Sequence, residues 1–149
     1  MVRYYKGEFR NEQAEFERIT REFIGNDPQA VQDQLRFLNA LFYNTQPRRL
    51  SNSVWKQLKN SGSWEVKTID NIFRNLKRDG VRRNVSRIVN QFVGEGVIND
   101  FNGRVECPII LHAPENTGNE YQLVAGNTRL SMARALNQTP EVVILETDW

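Results

Sequence analysis

Apolar positions recur at helical spacing through the first third of the chain and at alternating spacing through the last. In NEQAEFERITREFIG, residues 11–25, Phe16, Ile19, Phe23 and Ile24 share one face of a 3.6-residue repeat that Gly25 stops. Asn26 or Asp27 is suited to cap the next helix, with Pro28 in its first turn. Val31, Leu35, Leu38, Leu41 and Phe42 form that helix's apolar stripe. The run NTQPRR, residues 44–49, breaks the pattern at Pro47. Ser51 or Ser53 then caps a short helix, SVWKQLKNSG, ended by Gly62.

Two more helical stretches follow. VKTIDNIFRNLKRDG places Val66, Ile69, Ile72, Phe73 and Leu76 on one face, and VRRNVSRIVNQFVGEG does the same with Val81, Val85, Ile88, Val89 and Phe92. Beyond them the period changes. ECPIILHA is β-rich, PENTGNE is turn chemistry, YQLVA reads as a strand, NTRLSMARALNQ as a helix and EVVILE as a final strand. The pattern predicts an α+β fold in which helices come first and a compact β-turn-β-α-β unit closes the chain.

At 149 residues, with 39% hydrophobic and 26% charged, the chain is long enough for one ordinary core and is neither disordered nor fibrous in composition. One cysteine excludes an internal disulfide, and Cys107 with His112 leaves little for a Cys/His zinc site. Cys107 is expected to be a structural thiol in a strand. No apolar run approaches the roughly 18 residues of a membrane span, and the start has no apolar signal core. An intracellular, cytoplasmic location with no membrane partner is expected.

Charge is unevenly spread. Residues 1–63 carry ten Lys/Arg against seven Asp/Glu, residues 64–93 seven against three, and residues 105–149 two against six. Arg74, Lys77, Arg78, Arg82, Arg83 and Arg87 crowd into 14 residues with Asp79 the only acid among them. Solvated helix faces ordinarily mix signs more evenly, so this stretch is expected to meet a nucleic-acid backbone. Trp55, Trp64 and Phe73 lie near it and could stack on an unpaired base, although helical spacing also suits Phe73 to a core.

The segment YQLVAGNTRLSMARAL, residues 121–136, holds the most suggestive chemistry. A strand delivered through Gly126 into a helix aims free backbone N–H groups at one point, where the helix dipole is positive. Arg129 could add a bidentate contact to phosphate, and Asn127 and Thr128 could add hydrogen bonds. Glycine at a turn, Asn or Thr as helix cap and a solvated arginine would look the same. The glycine-rich motifs G-x-x-x-x-G-K-[ST] and G-x-G-x-x-G are both missing from the sequence.

The longer segment ECPIILHAPENTGNEYQLVAGNTRLSMARALNQTPEVVILE, residues 106–146, resembles the nucleotide-binding module of the ParB and sulfiredoxin superfamily. The shared order is a Pro-Ile strand, a hairpin, an aromatic-aliphatic strand, a glycine-x-x-arginine corner, an alanine-rich helix and a short apolar strand. Upstream, NTQPRRLSNSVWKQLKNSG is similar to that family's Asn-x-x-Gln-Pro-Arg segment and the helix after it. The resemblance implies a small mixed β-sheet module built from residues 44–63 and 105–149. N-terminal helices (1–43) would precede it and a basic helical insertion (64–104) would interrupt it, all within one domain, 1–149. It also implies a nucleoside triphosphate, ATP or CTP, bound by Gly126, Asn127, Thr128 and Arg129, with Gln46 and Arg48 beside them.

Two departures shape the expected chemistry. Asn127 and Thr128 stand where sulfiredoxins carry their catalytic cysteine, so sulfinic-acid reduction is not expected. The chromosome-partition proteins follow the module with a helix-turn-helix domain, which is not expected here. Superfamily members include nucleotide-dependent DNA clamps, proteins labelled nucleases, and kinases that phosphorylate a free hydroxyl.

A phosphoryl-transfer enzyme needs positive groups on the moving phosphate, usually with Mg2+, and a carboxylate or imidazole for the acceptor hydroxyl. Arg129 and the helix start supply the first. Glu106, His112, Glu115 and Glu120 are candidates for the second, with Glu106 and His112 ahead. The expected function is a nucleotide-dependent kinase that phosphorylates a hydroxyl on DNA, such as that of a 5-hydroxymethyl pyrimidine, in a compact enzyme of phage type by analogy. The alternatives are a DNA-binding regulator with a CTP or ATP switch pocket, and a ParB-like nuclease. On the nucleotide reading, Arg129→Ala is expected to abolish nucleotide binding and leave the fold intact.

Overall fold

The computed structural model describes residues 2–59, 91, 103–118, 120–126, 129, 130, 132, 133 and 138–149. The chain is α+β, and its described elements in order are β1 (Arg3–Tyr5), a 3-10 turn (Phe9–Glu12), α1 (Gln13–Ile24), α2 (Pro28–Asn44), β2 (Arg48–Arg49), α3 (Asn52–Gln57), β3 (Leu58–Lys59), β4 (Arg104–Glu106), β5 (Ile109–His112), one-turn α4 (Pro114–Thr117), β6 (Tyr121–Ala125) and β7 (Glu141–Glu146).

The first helices follow the apolar pattern. Phe16 and Ile19 are buried on α1, and Gly25 ends it at φ 92°, a backbone conformation that costs an L side chain but not glycine. Asp27 is the N-cap of α2, its carboxylate accepting from the Ala30 N–H at 3.0 Å, and Val31, Leu35, Leu38 and Phe42 are buried. Phe9, Phe16 and Phe42 meet as an aromatic cluster, with Phe9 and Phe16 stacked at 4.1 Å.

Five strands form a sheet in the order β2-β7-β5-β6-β3, mixed in direction: β5 runs parallel to β7 and antiparallel to β6. Both central strands are buried on both faces. Ile109 and Leu111 of β5, with Val143 and Leu145 of β7, pack on α1 and α2. The alternate residues Ile110, Val142 and Ile144 pack on Leu50, Val54 and Leu130 across the opposite face. A strand covered on both sides must be apolar at every position, which is why EVVILE reads as a continuous run instead of an alternating one.

Several boundaries differ from the sequence reading. The chain opens with a strand, β1, which pairs in parallel with β4 as a separate two-stranded ribbon. ECPIILHA is split at Cys107–Pro108 into a ribbon strand and a sheet strand, and the Pro108 carbonyl accepts the Val143 N–H at 2.9 Å. The helix capped by Ser51 ends at Gln57, short of Gly62, because Leu58 and Lys59 pair with Tyr121 and Gln122 of β6. Within NTQPRR, Arg48 and Arg49 form an edge strand on β7. PENTGNE contains a helical turn before Gly118. The helical stretches read between residues 64 and 93 lie outside the described residues, apart from Gln91.

The N-terminal segment is anchored by Lys6. Its ammonium donates to the carbonyls of Phe42, Tyr43 and Thr45 at 2.9–3.0 Å. These carbonyls lie at the negative end of α2, where a cation is favoured by both hydrogen bonding and the dipole.

Candidate functional site

The corner begins where β6 ends. The Gly126 carbonyl accepts the Leu130 N–H at 2.9 Å, a helical i to i+4 bond that ties the glycine to the helix beyond it. Only glycine fits there: φ is +110°, and a Cβ would lie 2.6 Å from Cβ of Pro108. Arg129, Leu130, Met132 and Ala133 are helical, and Leu130 and Met132 are fully buried. Asn127 and Thr128 lie outside the described residues.

Arg129 is only 5% exposed, and its guanidinium points inward. Nη1 donates to the carbonyls of Glu106 (3.1 Å) and Cys107 (3.4 Å), and Nη2 donates to Oε1 of Glu12 at 3.2 Å. Oε2 of Glu106 lies 3.9 Å from Nη1. The arginine at the corner therefore holds two carboxylates, one from the 3-10 turn and one from the end of β4. Alanine at 129 would take the buried guanidinium from both, so the fold is not expected to tolerate that substitution unharmed.

Glu106 is held from several sides. Asn11 donates to it at 3.5 Å, and a hydrogen bond links it to Tyr5, its neighbour across the ribbon. Gly7 lets the carboxylate approach the N-terminal backbone, since a Cβ there would sit 2.8 Å from Oε2. Burial and then the charge of Glu106 push the Tyr5 phenol above its ordinary pKa. Glu12 was not a candidate from the sequence, because its partner is 117 positions away and no local motif marks it.

His112 occupies the other end of β5 from the corner, about 10 Å along the strand at ~3.3 Å per residue. Its Nδ1 meets Oε2 of Glu146 at 2.5 Å, and its ring stacks on Tyr121 at 4.2 Å. Arg48 pairs with the same Glu146 at 3.3 Å, and Gln46 is exposed. The four residues Gly126, Arg129, Glu106 and Glu12 thus gather at the corner, while His112 and the Arg48 guanidinium gather around Glu146. Glu115 and Glu120 are exposed beside the His112 end, at the helical turn and the start of β6.

Trp55, like Tyr121 and Leu123, is half-buried against the second core of Leu50, Val54, Ile110 and Leu130. Trp64 and Phe73, and the basic residues Arg74, Lys77, Arg78, Arg82, Arg83 and Arg87, lie outside the described residues. Cys107 is buried between β4 and β5, outside any strand, and burial pushes its thiol up to about 12. Such a thiol stays protonated and unreactive near neutrality.

Among the described residues no three His, Cys, Asp or Glu side chains are grouped to hold a metal ion. Glu12 and Glu106 are already paired to Arg129, so these acids do not form a protein-built cage for Mg2+. No helix among the described residues is long and apolar enough to cross a membrane. Comparison of the chain with family models, with curated proteins and with solved structures yields no match to any of them.

Proposed function

We propose that the chain is a nucleotide-dependent phosphotransferase that moves the terminal phosphoryl group of ATP or another triphosphate to a hydroxyl on DNA, a 5-hydroxymethyl pyrimidine being a chemically suitable acceptor. The observation that carries this reading is the convergence of Glu106 and Glu12 on Arg129 directly beneath the Gly126 corner. A glycine corner opening a helix offers backbone N–H groups to phosphate oxygens. A carboxylate held by Tyr5, Asn11 and Arg129 is oriented as a general base must be.

In this scheme Glu106 accepts the proton of the acceptor hydroxyl. That oxygen then bonds to the γ-phosphorus, and the bond from the γ-phosphorus to its bridging oxygen breaks, leaving the charge on the departing nucleoside diphosphate. Arg129 is a positioning residue for the two carboxylates.

The pairing of Arg129 with Glu12 favours a second reading, a non-enzymatic switch in which triphosphate exchanges with Glu12 on the guanidinium. Incubation with γ-labelled ATP and hydroxymethylated or ordinary DNA separates the two. Label entering DNA, lost in Glu106→Gln while nucleotide binding persists, is the expected result. Nucleotide binding without transfer selects the switch, and no nucleotide binding at all removes both.

A further inference from the structure

The two-stranded ribbon of β1 and β4 carries an arrangement that core packing does not explain. In-register neighbours on parallel strands point to the same side, so one face presents Tyr4 and Val105 and the other presents Arg3, Arg104, Tyr5 and Glu106. The first face is buried: Val105 is fully inaccessible, and Tyr4 packs on the main core. On the second face Arg3 and Arg104 are both exposed, while Tyr5 and Glu106 are half-buried.

Arg3 and Arg104 are direct register partners, which sets two arginines side by side on strands about 4.8 Å apart. Like charges so placed destabilise a strand pair. Among the described residues neither guanidinium has an ion-pair partner, whereas every other described arginine except Arg49 has one. The Arg104 guanidinium lies over the Tyr5 ring at 4.9 Å. Stacking fixes the plane of an arginine and leaves its edge N–H donors directed outward. The next residue on this face is Glu106, the carboxylate of the corner.

We infer that this ribbon face is a binding track for the phosphodiester backbone of a DNA strand, with Arg3 and Arg104 as its phosphate contacts and Tyr5 as the platform that orients Arg104. A polyanion would neutralise the opposed arginine pair, converting a destabilising contact into a binding one. The track ends at Glu106, so a strand lying along it reaches the corner without crossing the buried core. This rests on the reading of DNA as the acceptor, and it assigns binding to residues far in sequence from the basic stretch at 74–87.

The test measures binding of the full chain to labelled single-stranded and duplex oligonucleotides over a range of salt concentrations. Arg3→Gln with Arg104→Gln is expected to weaken binding about tenfold. The double change should also reduce the slope of log affinity against log salt by roughly 1.4 for single strands or 1.8 for duplex, about 0.7 or 0.9 per lost contact. Arg3→Lys with Arg104→Lys should keep most of the slope. Arg36→Gln, on α2 away from the ribbon, should leave both quantities unchanged. The glutamine pair should melt no lower than the parent, since it relieves a repulsion.

Unchanged affinity and slope in the glutamine pair overturns the inference, as does failure of the parent to bind DNA. Equal binding of polyglutamate with the same dependence on Arg3 and Arg104 also overturns it, in favour of an acidic protein partner. Loss of DNA binding in the glutamine pair, together with a parent chain that binds nucleotide and DNA but transfers no label, would retain the track and remove the phosphotransferase reading.

Discussion

Nη2 of Arg129 donates to Oε1 of Glu12 at 3.2 Å, joining the first turn of the corner helix to the 3-10 turn near the N-terminus. The arginine side chain is 6% exposed and the glutamate 20%, so water screens the pair poorly. Removing Arg129 takes a buried guanidinium from Glu12, Glu106 and two carbonyls, and Arg129→Ala is expected to cost about 3–5 kcal/mol. Glu12→Ala should cost less, and the double variant should fall short of the sum by about 0.5–3 kcal/mol. Denaturant unfolding of the four proteins measures the coupling; strictly additive losses would refute it.

Gly126 cannot accept a side chain without movement of Pro108, whose Cα and Cβ are backbone-linked and cannot swing aside. Gly126→Ala adds positive-φ strain of about 1–3 kcal/mol to that clash. The expected outcome is a lower melting temperature together with weaker triphosphate binding, read by calorimetry with and without ATP. A variant as stable as the parent would show that the corner relaxes freely.

Lys6→Met keeps the aliphatic stem and removes the ammonium from three carbonyls at the end of α2. Hydrogen bonds to a charged group contribute about 1.5–3 kcal/mol when well formed, and partial exposure here places the expected loss near the lower end. Thermal unfolding should register it as a drop of a few degrees, at roughly 2–4 °C per kcal/mol for a chain of this size. An unchanged melting temperature would mean that water replaces the lysine fully.

The Cys107 thiol titrates near 12 in the folded chain and at 9.0 ordinarily, chiefly because it is buried. Above pH 9 the unfolded chain therefore binds fewer protons than the folded one, and stability falls as pH rises from 9 towards 12. Tyr4 and Tyr5, both raised mainly by burial, act in the same direction. Cys107→Ala should flatten part of this alkaline decline in denaturant titrations. In the parent, a thiol reagent at pH 8 should react only on unfolding; rapid modification of the native protein would contradict the burial.

His112 ends β5 on the side away from the corner, whereas Glu106 ends β4 beside Arg129, so of the two only Glu106 can serve chemistry at the corner. If label transfer is found, His112→Ala should retain it within about twofold, since a residue outside the site perturbs it only through packing. Glu106→Gln should lose at least the hundredfold or so expected for a general base. A loss in His112→Ala as severe as in Glu106→Gln would move the reacting centre away from Gly126.

Much of the architecture was legible in one dimension. Phe16, Ile19, Val31, Leu35, Leu38 and Phe42 fall on the helix faces their spacing predicts, and Asp27 and Ser51 cap where short polar side chains precede a helical pattern. YQLVA and EVVILE are strands over the residues read as such. The short strands were not legible. Arg3–Tyr5, Arg48–Arg49 and Leu58–Lys59 span only two or three residues, and each is a strand because an edge of β4, β7 or β6 is there to pair with.

The candidate site divides the same way. Sequence alone determined that a glycine would turn a strand into a helix after Ala125, because the change from alternating to helical apolar spacing is local information carried by consecutive residues. Only the tertiary structure decided where Arg129 points. Its guanidinium turns inward because burial demands a partner for every donor, and those partners, Glu12, Glu106 and Cys107, come from segments 22 to 117 positions away. Which charges meet is set by how the ribbon, the 3-10 turn and the sheet are brought together, and no local pattern encodes that meeting.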